Sequence, residues 1–506
     1  MDKLSTFESF ALISIVVLLI WHLFYNFFKT WCTLWGTNIK CDYGIPPFGT
    51  HWREIFNIES WHNTLKRLYY AYPNDRFIVL HEIGGRPQYL IRDPALVRQI
   101  AIRDFSSFVN RIGEINASTD TVLGHELTNL KTNDWRRIRN LLTPLLSGQK
   151  LKQVVIPSLN ENKKDLCTFL TEQLETSGKN ESIVVDMMDI STRSGVDGFC
   201  LTAFGLKTDS LRSNGNDYGF FKSAKSFLEH SDSTSSAMYH LIVHFPRVMK
   251  HLFGKTLMTT ADQNFFTKSC IDIADNRIAN KIQRSDYIQL LQILRDSGDN
   301  TTNNYDDDEL VSQCFEFYES VITENNLITT FVMQKLAEHP EIQERLYDEM
   351  VEIESRLDGN GLSYDGLIAM KYTEMVINEA FRMCEIAPLL KRRATRSYIL
   401  ENGNGEKVKI QPGDAVWLPT YILQNDPQYY PNSKVFDPER YSDENRKAHV
   451  AGTYAPFGIG PRNCVGCFYP MAELKLTLYH LLVHFTIECV ANHEGNNNSI
   501  KLKRRT

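Results

Sequence analysis

The segment Phe457-Gly458-Ile459-Gly460-Pro461-Arg462-Asn463-Cys464-Val465-Gly466 holds the densest chemistry in this sequence. Its glycines permit a tight loop whose backbone N–H groups can point at the Cys464 sulfur, and a helix starting just after it favours the thiolate through its dipole. The thiolate is the form that ligates metal, and such a sulfur can serve as an axial iron ligand. Phe457 would shield the sulfur from water, and Arg462 would pair with an anionic cofactor edge such as a haem propionate. The plain reading of Cys464 alone is a buried loop thiol. A second pattern overlaps the first: Cys464, Cys467, His480 and His484 have the C-x2-C-x12-H-x3-H spacing of a zinc finger. If residues 467 to 484 form one helix, His480 lies ~20 Å along the axis from Cys467 at ~1.5 Å per residue, too far for one ion to bridge. The two histidines then read as packing residues on one helix face.

Three further sets lie upstream. In Glu379-Ala380-Phe381-Arg382 the acid and the base stand at i and i+3, where they share a helix face and can pair. Phe436-Asp437-Pro438-Glu439-Arg440-Tyr441 follows it, and Trp135-Arg136-Arg137-Ile138-Arg139 precedes it. Taken singly, an E-x-x-R occurs on many solvated helices, Trp135 reads as core and Arg139 as an exposed cation. Taken together, in this order and spacing, they resemble the cytochromes P450. Phe457, Gly460, Arg462, Cys464 and Gly466 match the F-x-x-G-x-R-x-C-x-G haem loop, Glu379 and Arg382 match the helical E-x-x-R, residues 436–441 resemble the P-E-R-F segment, and Trp135 with Arg139 resembles the W-x-x-x-R helix.

The resemblance spans roughly residues 45 to 490, and the texture of Asn425-Asp426-Pro427-Gln428-Tyr429-Tyr430-Pro431-Asn432 is similar to the insect microsomal xenobiotic-oxidising branch. It implies haem b on Cys464, with Phe457 and Gly466 beside the cofactor and Trp135, Arg139 and Arg462 on the propionates. Glu379, Arg382 and Arg440 would form a structural triad. Electrons would come from NADPH through an NADPH-cytochrome reductase, with a cytochrome b-type protein as a further donor. The reaction implied is insertion of one atom of dioxygen into a lipophilic small molecule.

The sequence departs from that pattern at one place. Where the family carries [AG]-G-x-[DE]-T, this chain has Ser320-Val321-Ile322-Thr323-Glu324, with acid and hydroxyl in reversed order. The family's glycine leaves a groove for dioxygen, and its acid and threonine relay protons. Val321 is branched and fills such a groove, and one residue along a helix turns the side chain by about 100°, so Thr323 and Glu324 cannot simply exchange roles. They are the candidate catalytic pair, and a shifted or bulged helix is one way to present both. The blander fate of Glu324 is an internal salt bridge; it can also meet a substrate's amine. The same departure motivates a reading from another class: a haem-binding protein with impaired or no monooxygenase activity, acting as a ligand sequestrant or in non-oxygenase haem-thiolate chemistry.

The elements that must position these groups read as mostly helical. Helices are predicted over roughly Glu309 to Glu338, Tyr364 to about Cys384 and Cys467 to Phe485, and short alternating runs at Lys407 to Ile410 and Ala415 to Leu418 read as strands. The fold class expected is mainly α with small β-sheets, the cytochrome P450 fold, in one large domain behind an N-terminal transmembrane anchor. The anchor is expected within residues 1–30, because Phe10 to Phe28 is a nearly continuous apolar run with no charge and about the length a bilayer-crossing helix needs. Aromatics crowd its C-terminal end and Lys29 and Lys40 follow, which predicts an endoplasmic reticulum membrane protein with its catalytic domain facing the cytosol. Residues 31–50, with Pro46 and Pro47, read as a stiff linker, 51–490 as the haem-thiolate domain and 491–506 as a tail. Ten scattered cysteines in 506 residues carry no disulfide-scaffold spacing. A net charge of −6, with acids and bases spread along the chain, gives no electrostatic footprint for nucleic acid.

Overall fold

A computed structural model of the chain describes residues 6–112, 115–146, 151–177, 181–213, 219–296, 305–356, 362–490 and 498–505. These are mostly helical, with three small sheets. The strands are β1 (Phe77–His81), β2 (Pro87–Ile91), β3 (Ser182–Asp186), β4 (Leu390–Arg393), β5 (Tyr398–Glu401), β6 (Lys407–Ile410), β7 (Ala415–Leu418), β8 (Phe485–Cys489) and β9 (Ser499–Arg504). One sheet runs β1-β2-β7-β4, a second β3-β9-β8, and β5 pairs with β6 alone. Residues on β1 and β7 are buried throughout, as an apolar strand covered on both faces must be, whereas Lys407-Val408-Lys409-Ile410 alternates exposed and buried. One apolar core forms around the β1-β2-β7-β4 sheet and a larger one among the helices. Within the stretch predicted as tail, Ser499–Arg504 is the central strand of its sheet, held on both sides.

An N-terminal helix spans Thr6–Leu34. Its last turns dock on the turn between β1 and β2, where Asn26 donates to the Gly84 carbonyl at 3.0 Å and a side chain on Gly85 would collide with the Phe27 ring. The side chains of much of the Phe10–Phe28 run lie outside the described residues, and among the described residues no helix is both long and apolar enough to cross a membrane. In the segment predicted as a linker, the backbone of Lys40 and Asp42 is hydrogen-bonded along β1 at Val79.

The long helix predicted from Glu309 starts at Asp307, because the Asp306 carboxylate accepts the Glu309 N–H at 2.9 Å and three acids occupy the first turn. It is not one regular α-helix. Asp307–Ser320 and Asn326–Glu338 are joined by a π-helical segment, Val321–Asn325. The segment packs against the neighbouring helix Met187–Phe199. A Cβ on Gly195 would sit 2.9 Å from Asn326 Oδ1 and 3.2 Å from Val321 Cγ1, so residues five apart face one glycine. That repeat is the spacing of an i→i+5 turn.

Tyr364 to Cys384, predicted as one helix, is two. Tyr364–Ala369 ends at Met370, and Lys371–Met383 begins afresh because the Glu349 carboxylate accepts the N–H groups of Tyr372 and Thr373 at 2.7 and 2.9 Å. An outside carboxylate thus does the work of an N-cap. The helix after the cysteine loop spans Phe468–His484 and carries Pro470 in its first turn, where a missing N–H costs nothing.

Candidate active site

The cysteine loop closes on itself before it meets anything else. Cys464 N–H donates to the Phe457 carbonyl at 2.8 Å and Asn463 N–H to that of Gly460 at 3.0 Å. Gly460 has φ +77°, and a Cβ there would lie 1.9 Å from the Ala101 carbonyl oxygen, so no other residue fits. The Phe457 ring stacks edge-on against Phe381 at 4.8 Å. The exposed face of Cys464 opens into an internal cavity of about 590 Å³, which Gly466, Phe457 and Val465 also line. A Cβ on Gly466 would meet nothing within 4 Å, so protein packing does not demand glycine there.

Burial pushes the Cys464 thiol up to about 11, and the Gly466 N–H on the sulfur opposes that only in part. A bound cation would be needed to hold it as the thiolate at neutral pH. The zinc-finger pattern does not assemble. His480 and His484 lie far along the Phe468–His484 helix from Cys464. His480 Nε2 lies 2.7 Å from Asn160 Oδ1 and His484 Nδ1 2.8 Å from the His480 carbonyl.

The cavity wall beside the loop is strongly cationic. Arg462 is buried against three backbone carbonyls, those of Val109, Leu127 and Leu130, at 2.9, 3.1 and 2.6 Å. Its guanidinium lies over the Trp135 ring, 4.3 Å from the centroid. Arg139 donates to the Asn463 carbonyl and side chain at 2.7 and 2.8 Å, so it grips the cysteine loop itself. Two arginines that no motif pointed to join them. Arg111 donates to the Arg462 carbonyl and to Thr128, and Arg392 donates to the Lys391 carbonyl. None of the four makes an ion pair among the described residues, and the Nε atoms of Arg111 and Arg392 are buried without a partner. Burial, then the neighbouring guanidiniums, push Arg462 down to about 8 and Arg392 to about 9. Arginine does not give up its proton readily, so what this wall lacks is an anion. Arg392 belongs to no motif; on β4 the alternation turns it alone fully inward.

Behind the cavity the predicted triad comes together. Arg382 forks onto both Glu379 oxygens at 2.7 and 2.8 Å, Arg440 Nε reaches the same carboxylate at 3.3 Å, and the Asp437 N–H adds a further donor at 3.0 Å. Glu379 and Arg382 are fully buried, and Arg382 spends its remaining donors on the carbonyls of Gln424 and Val435 and the side chain of Asn425. This anchors the Lys371–Met383 helix to the segment leading to the cysteine loop.

The opposite wall carries the altered helix. Thr323 and Glu324 both line the cavity from the π segment. The Thr323 hydroxyl donates to the Glu319 carbonyl at 2.7 Å, which leaves it free only to accept. Glu324 makes no ion pair among the described residues; burial raises its carboxyl and Arg111 counters that in part. Val321 is buried against Gly195. Three more acids that belong to no motif line the same space, Glu126, Glu316 and Glu319.

A loop thiol at the foot of a cavity, beside a wall of guanidiniums that make no direct ion pair among the described residues, has the donor set of a haem-thiolate site: sulfur for iron, arginines for the acid edge of the macrocycle. The comparison with known sequences agrees. The family model for Cytochrome P450 matches residues 46–503, and the chain belongs to that family of haem b monooxygenases. It is 31% identical to cytochrome P450 9e2 of Blattella germanica over 427 residues, 80% of this chain and 79% of that one. To cytochrome P450 9b2 of Drosophila melanogaster it is 30% identical over 403 residues, covering 79% and 78%. To the lithocholate 6-beta-hydroxylase of Mesocricetus auratus it is 29% identical over 428 residues, covering 83% and 80%.

Proposed function

We propose that this chain is a membrane-bound monooxygenase that oxidises lipophilic small molecules with electrons from NADPH, delivered by a reductase. The observation that carries the reading is the pairing of Cys464 with the guanidinium wall across one cavity. Cys464 would ligate iron, Trp135, Arg139 and Arg462 with Arg111 and Arg392 would hold the propionates, and Arg139 would also fix the loop that presents the sulfur. Phe457 and Gly466 would border the macrocycle, one excluding water and the other leaving room. Glu379, Arg382 and Arg440 would keep the loop in place without touching substrate. Haem bound there would supply oxygen activation and the oxidising power for insertion into a C–H or C=C bond.

Proton delivery falls to the π segment. Glu324 opens onto the cavity, where desolvation favours its protonated form against the pull of Arg111, so it can donate there, and Thr323 can accept from a water or a ligand. The chain is proposed to sit on the endoplasmic reticulum membrane through its N-terminal helix, with the domain in the cytosol. Exposed Phe56, Ile58, Phe245, Leu252 and Phe253 support this, since they crowd the neighbouring segments around Trp52–Ile55 and Ser236–Phe253.

The test is the reduced carbon monoxide difference spectrum of the purified protein beside Cys464→Ser, followed by NADPH consumption with a reductase. A Soret band near ~450 nm that is lost in the variant supports thiolate ligation; a folded, haem-loaded wild type without the band refutes it. Oxidation of NADPH with product confirms the monooxygenase reading. Oxidation to peroxide alone returns the chain to a haem-binding protein whose altered helix does not couple oxygen to substrate.

A further inference from the structure

Two histidines and a carboxylate meet outside the cavity, where segments distant in sequence come together. His51 immediately precedes the short helix Trp52–Ile55, which carries Glu54, and His240 stands on the helix Ser236–His244. His51 Nδ1 lies 3.0 Å from Glu54 Oε2, and His240 Nε2 lies 3.5 Å from the same oxygen. One ligating atom from each residue falls within 4.8 Å of the other two. The Glu54 and His240 side chains are 21% and 15% exposed, so an ion from solvent can reach them.

The spacing is that of ligands around one ion. Atoms held tetrahedrally at ~2.0–2.1 Å from zinc stand about 3.3 Å apart. That value falls between the two distances to Glu54 Oε2. The rings give an independent measure. An imidazole centre lies roughly 3.2 Å from an ion bound in line with its nitrogen, so two such rings at a tetrahedral angle have centres about 5.2 Å apart. Those of His51 and His240 are 5.1 Å apart, with the ring planes tilted by 70°. Trp61 stacks on His51 at 3.9 Å and so fixes the plane in which its nitrogen points. Each histidine offers a lone pair at the shared point when the neutral ring carries its proton on the other nitrogen. Two imidazoles with one carboxylate suit zinc and its neighbours, whereas magnesium and calcium take all-oxygen sets.

We propose that His51, Glu54 and His240 bind a divalent ion of the zinc class, with water in the fourth position, and that the ion clamps the helix Trp52–Ile55 to the helix Ser236–His244. The site is independent of the haem-thiolate reading, but it borders the cavity. Trp417 packs on both His51 and Trp61, and Lys391, which lines the cavity, reaches over the Trp417 ring at 5.2 Å. The Lys391 charge opposes an ion at His51, and the Glu54 carboxylate attracts both. The clamp fixes how the exposed Phe56 and Phe245, each just after a ligand-bearing helix, sit relative to one another.

The probe is zinc itself. The haem-loaded full chain, stripped of loosely held metal by a chelator, is titrated with Zn²⁺ against a chromophoric competitor, and zinc-edge X-ray absorption is recorded at one equivalent. The proposal expects one ion per chain with a Kd below about 1 µM, in a shell of two imidazoles and oxygen without sulfur. His240→Ala, at the more exposed of the two histidines, is expected to weaken binding by more than the about 10- to 100-fold that changes around a ligand cause, with the ~450 nm carbon monoxide band kept. Absence of saturable binding by the wild type overturns the site. So does sulfur in the zinc shell, or binding that His240→Ala leaves unchanged; Glu54 is then a shared hydrogen-bond acceptor for two histidines and nothing more. The wild-type titration and the absorption spectrum need no variant to fold. A chain that lacks the band fails the haem-thiolate reading alone, because the zinc shell is read separately.

Discussion

The Arg462 guanidinium lies over the Trp135 ring at 4.3 Å from its centroid while its nitrogens bond three carbonyls from the segment between Val109 and Leu130. One planar cation thus ties the cysteine loop to the helix that carries Trp135 and to the chain just before it. Lysine can neither stack in that way nor reach three carbonyls in a fixed fork. Arg462→Lys is expected to cost about 2 to 4 kcal/mol, because buried carbonyls lose their donor. Trp135→Phe keeps a ring under the cation and is expected to cost about 1 kcal/mol. Thermal unfolding of the haem-loaded protein distinguishes the two.

Arg392 gives effects of opposite sign in the two forms of the protein. With no anion beside it, burial and Arg111 work against its charge. Arg392→Met is therefore expected to stabilise the haem-free protein by about 1 to 2 kcal/mol, in line with replacing a buried charge by an apolar side chain. The same change removes a propionate partner and should speed haem loss about ten-fold, as measured by transfer to an acceptor protein. Haem-free protein that is less stable than wild type would show that Arg392 already has its anion.

At the π segment the expected result is coupling. Gly195→Ala places a methyl 2.9 Å from Asn326 Oδ1 and 3.2 Å from Val321 Cγ1, an overpacking that should cost about 1 to 3 kcal/mol. Val321→Ala alone should cost about 1 to 2 kcal/mol as a cavity. The double variant should be more stable than the sum of the two, with an interaction of about 0.5 kcal/mol or more by denaturant titration. Additive effects would mean that Val321 and Gly195 do not share the contact.

His480 gives the protein an acid-sensitive element away from the cavity. Burial, then Lys164, His484 and Lys163, hold its imidazole down at about 4. The folded state therefore binds its proton less well than the unfolded chain, whose histidine titrates near ~6.5. The contribution is complete above ~6.5 and is lost as the pH falls toward about 4, at about 1.4 kcal/mol per pH unit and about 3 kcal/mol in all. His480→Gln should flatten the stability profile over that window relative to wild type.

The sequence was most informative where a feature is local. The cysteine loop shows because Gly460 must adopt φ +77° against Ala101. Glu379 and Arg382 show because i and i+3 share a face. What stayed hidden depends on partners distant in sequence. A bulge at Thr323 and Glu324 was legible as one option and is present as the π segment, but its packing against Gly195 was not, and the break at Met370 follows from Glu349. Arg111 and Glu126 carry no local mark at all; only the closed fold sets the first beside Arg462 and Arg392 and the second opposite Glu319. Arg139 was identified as a site residue, but its bond to the Asn463 carbonyl belongs to geometry that no spacing states.

The place of Ser499–Arg504 between β3 and β8 bears on how the molecule assembles. Asp186 pairs with Ser499, so closing that ladder draws together two points separated by roughly 300 residues of chain. The entropy of such a closure is about 5 kcal/mol on the logarithmic scale of loop length, and no local contact offsets it in advance. Helices, and the β8-β9 hairpin, can form within microseconds on local information, but the β3-β9 ladder must wait until the intervening chain has condensed. The addition of β3 to β9 is therefore a late event of folding, and refolding yield will depend on the time the chain spends compact with the free edges of β3 and β9 still open.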